Sequence, residues 1–486
     1  MKMRAYESDP LPIKFREDQI LMGAGNTDYV LFVDYETYKR NLPPQKSEEI
    51  IQQKIAANKS IFTSALQRLR KGLLTAVQAM QTNTKKAGDV LDKIKEDLST
   101  PLENPGYEEY KKINLFLRRV FSDVESGALS ADQRLMKQVQ SAANSWTNSW
   151  DYLPIDYAMQ FVRNDDNMIE RRDGIKLRYF PSSGFVIPVN AANAAEAEII
   201  DPSQIDQCRK ELRIDFRKGG LFRRDINGLS REEVMMLDIL ANFDWKRGMY
   251  FSSPGGSDVA KALYGKGYVQ NLGQVHGLTP LNREVLEDDG RDRMYNNVMN
   301  TYDYANLSEE GVLVDYYVRR HTDQYRNSFV DLASKYASQY NKLKEKDENR
   351  AAKFADSVEQ VISYSLEKLP IDKVFDFGEP RGLGRRLPNG QKIYSDGVVP
   401  DFIQILYEVG KTDLADKLAE EYLKQLETMM DYFANSDAMV AYTNQKDFIA
   451  FGMNFLRTFR SVYVANQDSA LGDYAYGMEN RLSQQI

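Results

Sequence analysis

Cysteine and histidine are both nearly absent from this sequence. The 486 residues include one cysteine, Cys208, and two histidines, His276 and His321. A single thiol cannot form an internal disulfide, and these three side chains cannot build a Cys/His zinc site or a His-rich metal cage. The composition therefore excludes most classes of metalloenzyme, and we expect no metal site.

Long apolar runs and an excess of basic charge are missing as well. The best apolar run, Tyr29 to Val33, stops at Asp34, whereas a membrane helix needs about 18 apolar residues. The first ten residues carry two acids and a proline where a signal peptide would be apolar. With a net charge of −7, the chain is also unlike a nucleic-acid-binding protein. We expect no membrane span, no nucleic-acid partner and, by default, a cytoplasmic location.

Tyrosine is the abundant aromatic residue. The chain has 29 tyrosines and 22 phenylalanines but only three tryptophans. Tyrosine combines an apolar ring with a polar hydroxyl group and so suits half-buried contact surfaces. This composition favours binding over redox chemistry.

The hydrophobic spacing predicts an α+β fold: a mixed α/β core domain with a helical insert, followed by an all-α helical-hairpin domain of tetratricopeptide-like type. Specific predictions are a strand at Tyr29–Val33, one long helix from Ser47 to about Met80, a β-hairpin over 175–189, and a helix opened by a Ser230/Glu233 capping box. The predicted division is 1–44 as part of the α+β core, 45–150 as the insert, 151–310 as the rest of the core and 311–486 as the helical-hairpin domain.

Three sequence motifs resemble catalytic or cofactor loops but are incomplete. Gly410-Lys411-Thr412 lacks the earlier glycine of a phosphate-binding loop and follows a helix, so it is better explained as a helix C-cap. Residues 382–387 lack the third glycine of a dinucleotide loop, and residues 255–259 lack the last glycine of a nucleophile elbow. The motifs therefore predict no cofactor and no catalytic residue.

Two charged patterns leave alternatives open. The acid pairs Asp165-Asp166 and Asp288-Asp289 could serve glycoside hydrolysis or hold a cation, although the first also fits a polar turn. A basic cluster could face anionic headgroups or a phosphate-bearing ligand, or could be a solvated strand face. Its members are Arg209, Lys210, Arg213, Arg217, Lys218, Arg223 and Arg224.

Several segments resemble a known family in the right order. They are Met3 to Ile13, Leu237 to Phe251 and Asp292 to Met299, with further similarity at Tyr179-Phe180-Pro181 and Arg326 to Phe329. The sequence resembles the C-terminal soluble region of bacterial protein O-mannosyltransferase-like, GT-C-type membrane glycosyltransferases of the Bacteroidota type. One departure is Gly248, where the family usually has proline.

The resemblance implies a non-catalytic module on the periplasmic face of the inner membrane, belonging to a larger protein. Its partners would be the membrane portion of that parent protein and a protein or glycan acceptor. The binding residues that follow are Asp244, Trp245, Lys246, Arg247 and Tyr250 in the family-like segment, with Arg217, Arg223 and Arg224 from the basic cluster. The alternatives are a stand-alone helical-repeat binding scaffold, cytoplasmic if free-standing, and a glycoside hydrolase.

Overall fold

A computed structural model describes most of the chain. The described residues are 14, 30–32, 42–83, 85–101, 105–170, 174, 176–216, 228–253, 255–281, 290–371, 385–386, 392–393, 398–435, 453, 456 and 469–485. They form an α+β fold that is mostly helical, as predicted. Two compact units are present, the first comprising 1–269 with 278–285 and the second 270–277 with 286–486. None of the helices within these described ranges is long and apolar enough to cross a membrane.

The first unit begins with one strand and a helical region. Its elements up to residue 150 are β1 Val30–Phe32, α1 Pro44–Ala57, α2 Lys59–Ala79, β2 Gln81–Thr82, α3 Lys85–Ser99, α4 Tyr107–Glu125, β3 Leu129–Ser130 and α5 Gln133–Trp150. The five helices share a core in which Phe62, Trp146 and Trp150 pack ring against ring. The apolar spacing of the sequence is therefore used for packing.

Asn58 corrects the prediction of one long helix over 47–80. This residue lies between α1 and α2 with φ −124° and ψ 22°, outside helical geometry. Its amide nitrogen donates to Lys54 O (2.6 Å) in α1 and to Tyr152 O (2.7 Å), so the break is held by one hydrogen bond within the helix and one to a distant part of the chain. The apolar spacing continues across a one-residue interruption, which is why periodicity alone missed it.

Strands and short helices make up the rest of the first unit. They are β4 Leu153–Pro154, α6 Ile155–Arg163, β5 Met168–Glu170, β6 Lys176–Phe180, β7 Gly184–Pro188, α7 Ala191–Glu196, β8 Glu211–Asp215, β9 Gly228–Leu229, α8 Arg231–Ala241, β10 Tyr250–Phe251 and α9 Asp258–Gly265. A 3₁₀ helix, Pro202–Gln207, precedes β8. One sheet has the order β5-β6-β1-β9 and another the order β4-β7-β8.

The predicted β-hairpin over 175–189 is wrong. Strand β6 pairs in parallel with β1, whereas β7 pairs with β4 and β8, so the two strands belong to different sheets. The residues that connect β6 to β7 form hydrogen bonds with other segments. Ser182 Oγ donates to Asp151 O (2.9 Å), and Phe216 N donates to Ser183 O (3.0 Å). Phe180 and Phe185, whose ring centroids are 5.2 Å apart, pack together where the sheets meet.

Other local predictions for this unit are confirmed. The β1 strand lies inside the predicted Tyr29–Val33 run. The capping box forms, with Ser230 Oγ accepting from Glu233 N and the Glu233 carboxylate accepting from Ser230 N.

The second unit is built on helices. It contains α10 Arg291–Tyr295, a π-helix Asn296–Thr301, α11 Tyr316–Leu343, α12 Glu348–Lys368, β13 Arg385–Arg386, β14 Lys392–Ile393, α13 Val398–Glu408, α14 Thr412–Ala434 and α15 Ser469–Gln485. The strands β11 Val269–Asn271 and β12 His276–Leu278 contain the points at which the chain passes from the first unit to the second and back. Helices α11 and α12, and then α13 and α14, form the expected helical hairpins. Gly410 has φ +77° after α13, which confirms its assignment as a helix C-cap.

Candidate functional site

Trp245 is the anchor of the turn after α8, in the segment that the sequence predicts to bind. Its side chain is 1% exposed, its ring packs edge-on against Phe243 (4.9 Å), and its Nε1 donates to Pro188 O (3.0 Å). Its φ of +65° is rare for a residue with a large side chain. A buried, hydrogen-bonded indole explains how this backbone conformation is held. Trp245 thus has a structural role whatever it contributes to binding.

Its neighbours Asp244 and Lys246 lie at the surface. Burial works against ionisation of Asp244, but hydrogen bonds from the backbone and side chain of Lys246 outweigh it and hold the pKa of the carboxyl below its usual value. The Asp244 carbonyl accepts from Asn193 Nδ2 (2.7 Å), which joins the turn to α7. The charges of Asp244 and Lys246 therefore remain exposed on a turn that is held in place by Asn193 and Trp245.

Tyr250 is the exposed aromatic residue of the same turn. Its side chain is 53% exposed, and its hydroxyl lies 2.5 Å from where a Cβ would stand at Gly248. A side chain at position 248 would therefore displace the exposed ring of Tyr250. Arg247 precedes Gly248, so a charged pair, an arginine and an exposed phenol follow one another within seven residues.

A second polar cluster occupies one face of β8. Side chains alternate along a strand, so Glu211, Arg213 and Asp215 share the face opposite the buried Leu212 and Ile214. We call these three residues the β8 face, and Arg209 lies two residues before the strand.

Arg213 is fully engaged within the β8 face. Its Nε donates to Glu211 Oε1 (2.6 Å), its Nη1 donates to Asn58 Oδ1 (2.6 Å), and its guanidinium lies 5.3 Å from the Tyr152 ring centroid. The Tyr152 hydroxyl donates to Asp215 Oδ2 (3.2 Å). These contacts connect the helical region to the sheet, so all three charges of this face support the fold.

Arg209 is different. Its guanidinium lies 5.3 Å from the Tyr268 ring centroid, and its Nε is buried without a hydrogen-bond partner. The Tyr268 hydroxyl is occupied, because it accepts from Arg213 N (3.1 Å). Within the described ranges, Arg209 is a cation stacked on a fixed ring with no carboxylate beside it.

Two buried ion pairs lie beneath these surfaces, and sequence reasoning missed both. Lys54 Nζ contacts Asp151 Oδ1 (2.5 Å) and donates to Pro181 O (2.9 Å), while Asp238 accepts from Arg163 Nη1 (2.6 Å) and from Lys14 N (2.6 Å). Lys54 occupies a position at which the helical period predicts a buried residue. That position was the only feature of the sequence that could have indicated a buried lysine.

The remaining predicted positions fall in three groups. Asp165 lies on the predicted polar turn and pairs with Arg178. His276 begins β12, where burial lowers the pKa of its imidazole. The third group lies outside the described residues and consists of Arg217, Lys218, Arg223, Arg224, Asp288, Asp289 and residues 382–384. The side chain of His321 also lies outside them. Across the described ranges, no group of three or more His, Cys, Asp or Glu side chains could hold a metal ion.

Comparison with known proteins gives one family match. The model of TMEM260-associated domain 2 matches residues 109–301, about two fifths of the chain. The matched region runs from α4 through the π-helix and includes both the β8 face and the turn around Trp245. No curated protein and no solved structure matches the chain.

Proposed function

We propose that this chain is a non-catalytic, extracytoplasmic module of a membrane-bound protein O-mannosyltransferase-like glycosyltransferase, and that it binds the acceptor or a partner of that enzyme. The observation that carries the proposal is the match of residues 109–301 to a domain associated with TMEM260, a membrane protein of that type. The resemblance of the Leu237–Phe251 segment to the bacterial enzymes points in the same direction.

The chemistry of the described carboxylates supports a binding role over a catalytic one. Asp151, Asp238, Asp165 and Glu211 each pair with a lysine or arginine of another element or of the same strand. A general acid or base needs a carboxyl that can reach the substrate and change its protonation state. These four carboxylates are engaged in ion pairs within the fold, whereas Tyr250 is 53% exposed and the Arg209 side chain has no acceptor among the described residues.

A test in the source organism addresses the parent enzyme. The codons for residues 1–486 are removed in frame from the chromosomal gene, and glycosylated proteins of the cell envelope are quantified by mass spectrometry. We expect a subset of O-glycopeptides to lose its sugar while the proteins themselves persist. Unchanged occupancy of every glycopeptide would contradict the proposal.

The location of the chain is tested separately. Alkaline phosphatase, which is active only outside the cytoplasm, is fused after Ile486 in the natural gene. Activity in intact cells is the expected result, and an inactive but full-length fusion would argue against an extracytoplasmic module.

A stand-alone binding scaffold is the second candidate, because α11 to α14 form two successive helical hairpins. The two candidates use different surfaces. A photo-crosslinking amino acid is placed at Tyr250 or at Tyr432, which is 65% exposed on α14, and exposed Lys71 on α2 serves as the control position. Crosslinks to glycoproteins from position 250 support the glycosyltransferase module, whereas crosslinks to one peptide partner from position 432 alone support the scaffold.

A further inference from the structure

We infer that Arg209, stacked on Tyr268, is a binding site for an oxyanion, either a phosphate or a carboxylate carried by a saccharide ligand. The oxyanion part follows from the geometry of these two residues, and the saccharide part rests on the proposed function. The site does not depend on the residues of the turn around Trp245.

The first reason is that the guanidinium is uncompensated. Arg213, four residues along, has Glu211 and Asn58 as partners, but within the described ranges no carboxylate or carbonyl accepts a hydrogen bond from the Arg209 side chain. Because its Nε is buried, a bound anion would contact the two terminal Nη groups of the guanidinium. The adjacent Lys210 is exposed and adds a second positive charge.

The second reason is that the arginine is held in place before any ligand binds. The Tyr268 side chain is 6% exposed, and its hydroxyl accepts the Arg213 N–H, so the ring cannot turn away. The Arg209 backbone is fixed by its own bond to Pro280 O (2.8 Å). A planar guanidinium lying on an aromatic ring keeps its donor edge free, and that edge matches the two oxygens of a phosphate or carboxylate.

The third reason is the sequence context of the site. Arg209 and Lys210 belong to the basic cluster that the sequence analysis linked to phosphate-bearing ligands, and both fall inside the region matched by the TMEM260-associated domain. Among the described residues of this cluster, Arg213 supports the fold through its hydrogen bonds, whereas the Arg209 side chain has no acceptor.

The test is calorimetric titration of the full chain with four probes: inorganic phosphate, mannose 1-phosphate, glucuronate and neutral mannose. We expect mannose 1-phosphate or glucuronate to bind at least about tenfold more tightly than mannose, and binding to weaken with added salt. Binding of inorganic phosphate as tight as that of the sugar phosphate would keep the oxyanion site but overturn its assignment to a saccharide. Equal binding of charged and neutral sugars, or no binding of any probe, would overturn the inference.

Variants assign the effect to one residue. Arg209→Gln keeps a planar group on Tyr268 but removes the charge, and it should weaken binding of the anionic probes by about tenfold or more. Arg209→Lys keeps the charge without the paired donors and should give a smaller loss. Arg68→Gln, the same change at an exposed residue of α2, should have no effect. Retained anion binding in Arg209→Gln would exclude this residue.

The result is separable from the test of the parent enzyme. If removal of the whole module abolishes glycosylation but chromosomal Arg209→Gln neither lowers it nor weakens binding of the probes, the proposed function stands and the oxyanion site fails. If the probes bind through Arg209 but removal of the module leaves glycosylation unchanged, the oxyanion site stands and the proposed function fails.

Discussion

Lys54 shows how single charged residues are used inside this protein. Its side chain is 3% exposed and contacts the Asp151 carboxylate and the Pro181 carbonyl. Removing one partner of a buried ion pair leaves the other charge without compensation, which is far more costly than the loss of an exposed pair.

We therefore expect Lys54→Met to lower the free energy of unfolding by about 2–4 kcal/mol, measured by urea denaturation. The estimate lies toward the low side because Asp151 is 23% exposed and keeps some solvation. Lys71→Met, the same substitution at an exposed position of α2, should change stability by less than about 0.5 kcal/mol. Equal losses of stability in the two variants would show that the buried ion pair contributes no more to stability than an exposed lysine.

Trp245 allows a hydrogen bond to be separated from packing. Trp245→Phe keeps an aromatic ring in the turn but removes the donor to Pro188 O. The matched control is Trp150→Phe, since the buried Trp150 Nε1 has no acceptor within the described ranges. We expect Trp245→Phe to destabilise the protein by about 1 kcal/mol more than Trp150→Phe in urea denaturation. The same loss in both would assign the role of Trp245 to its ring alone.

At the scale of elements, Glu233 joins the beginnings of two helices. One carboxylate oxygen accepts from Ser230 N, which caps α8, and the other accepts from Asp258 N (2.7 Å) at the start of α9. Helix N-termini have unsatisfied N–H groups, and Glu233 satisfies one in each helix or its cap.

Glu233→Ala should therefore lower the free energy of unfolding by about 2 kcal/mol, more than a typical single cap contributes. Glu233→Gln retains one oxygen acceptor and should lose roughly half as much. Glu196→Ala, at an exposed residue of α7, is the control and should be nearly neutral. Thermal or urea denaturation would reveal the order, and a neutral Glu233→Ala would mean that water replaces both bonds.

Elements also show where local patterns were sufficient and where they were not. The capping box at Ser230 and the C-cap at Gly410 were predicted correctly, because each depends on residues within one turn of the chain. The break at Asn58 depends on Tyr152 and Arg213, which are 94 and 155 residues away, and the separation of β6 from β7 depends on β1 and β8. Such contacts leave no local pattern to detect.

At the scale of the whole molecule, the many tyrosines make stability sensitive to alkaline pH. Burial and the nearby charge of Glu49 raise the pKa of Tyr157 to about 12, and burial with a hydrogen bond to Glu427 raises that of Tyr474 to about 12. Burial raises the pKa of Tyr179 and Tyr304 as well. The ordinary value is 10.0.

Between these values the folded state holds phenol protons that the unfolded state has lost. Stability therefore falls as the pH rises from about 10 to about 12, and the fall should be visible as a declining urea midpoint over that interval. Tyrosinate absorbance should show a set of tyrosine side chains that ionise only when the protein unfolds. The double variant Tyr157→Phe, Tyr474→Phe should flatten the decline, and a midpoint independent of pH in the unsubstituted chain would contradict the expectation.

The tetratricopeptide-like packing of the helical hairpins and the four-part division of the chain stay predictions, since neither is settled by the contacts above. The binding role of Asp244, Lys246, Arg247 and Tyr250 is likewise a prediction, now placed on a turn whose geometry depends on Trp245.

Neighbouring positions carry the hydrophobic period, the turn residues and the ordered segments, so the chain alone was enough to predict the α+β class, the helical regions, the caps and the resemblance to a glycosyltransferase module. The folded arrangement was needed to learn which strands share a sheet, that Trp245 is an anchor, and that, among the described residues, Arg213 has side-chain acceptors while Arg209 has none. Those outcomes depend on which distant groups meet and compete for the same hydrogen bonds. Two arginines that look equivalent in the chain therefore have different roles in the fold.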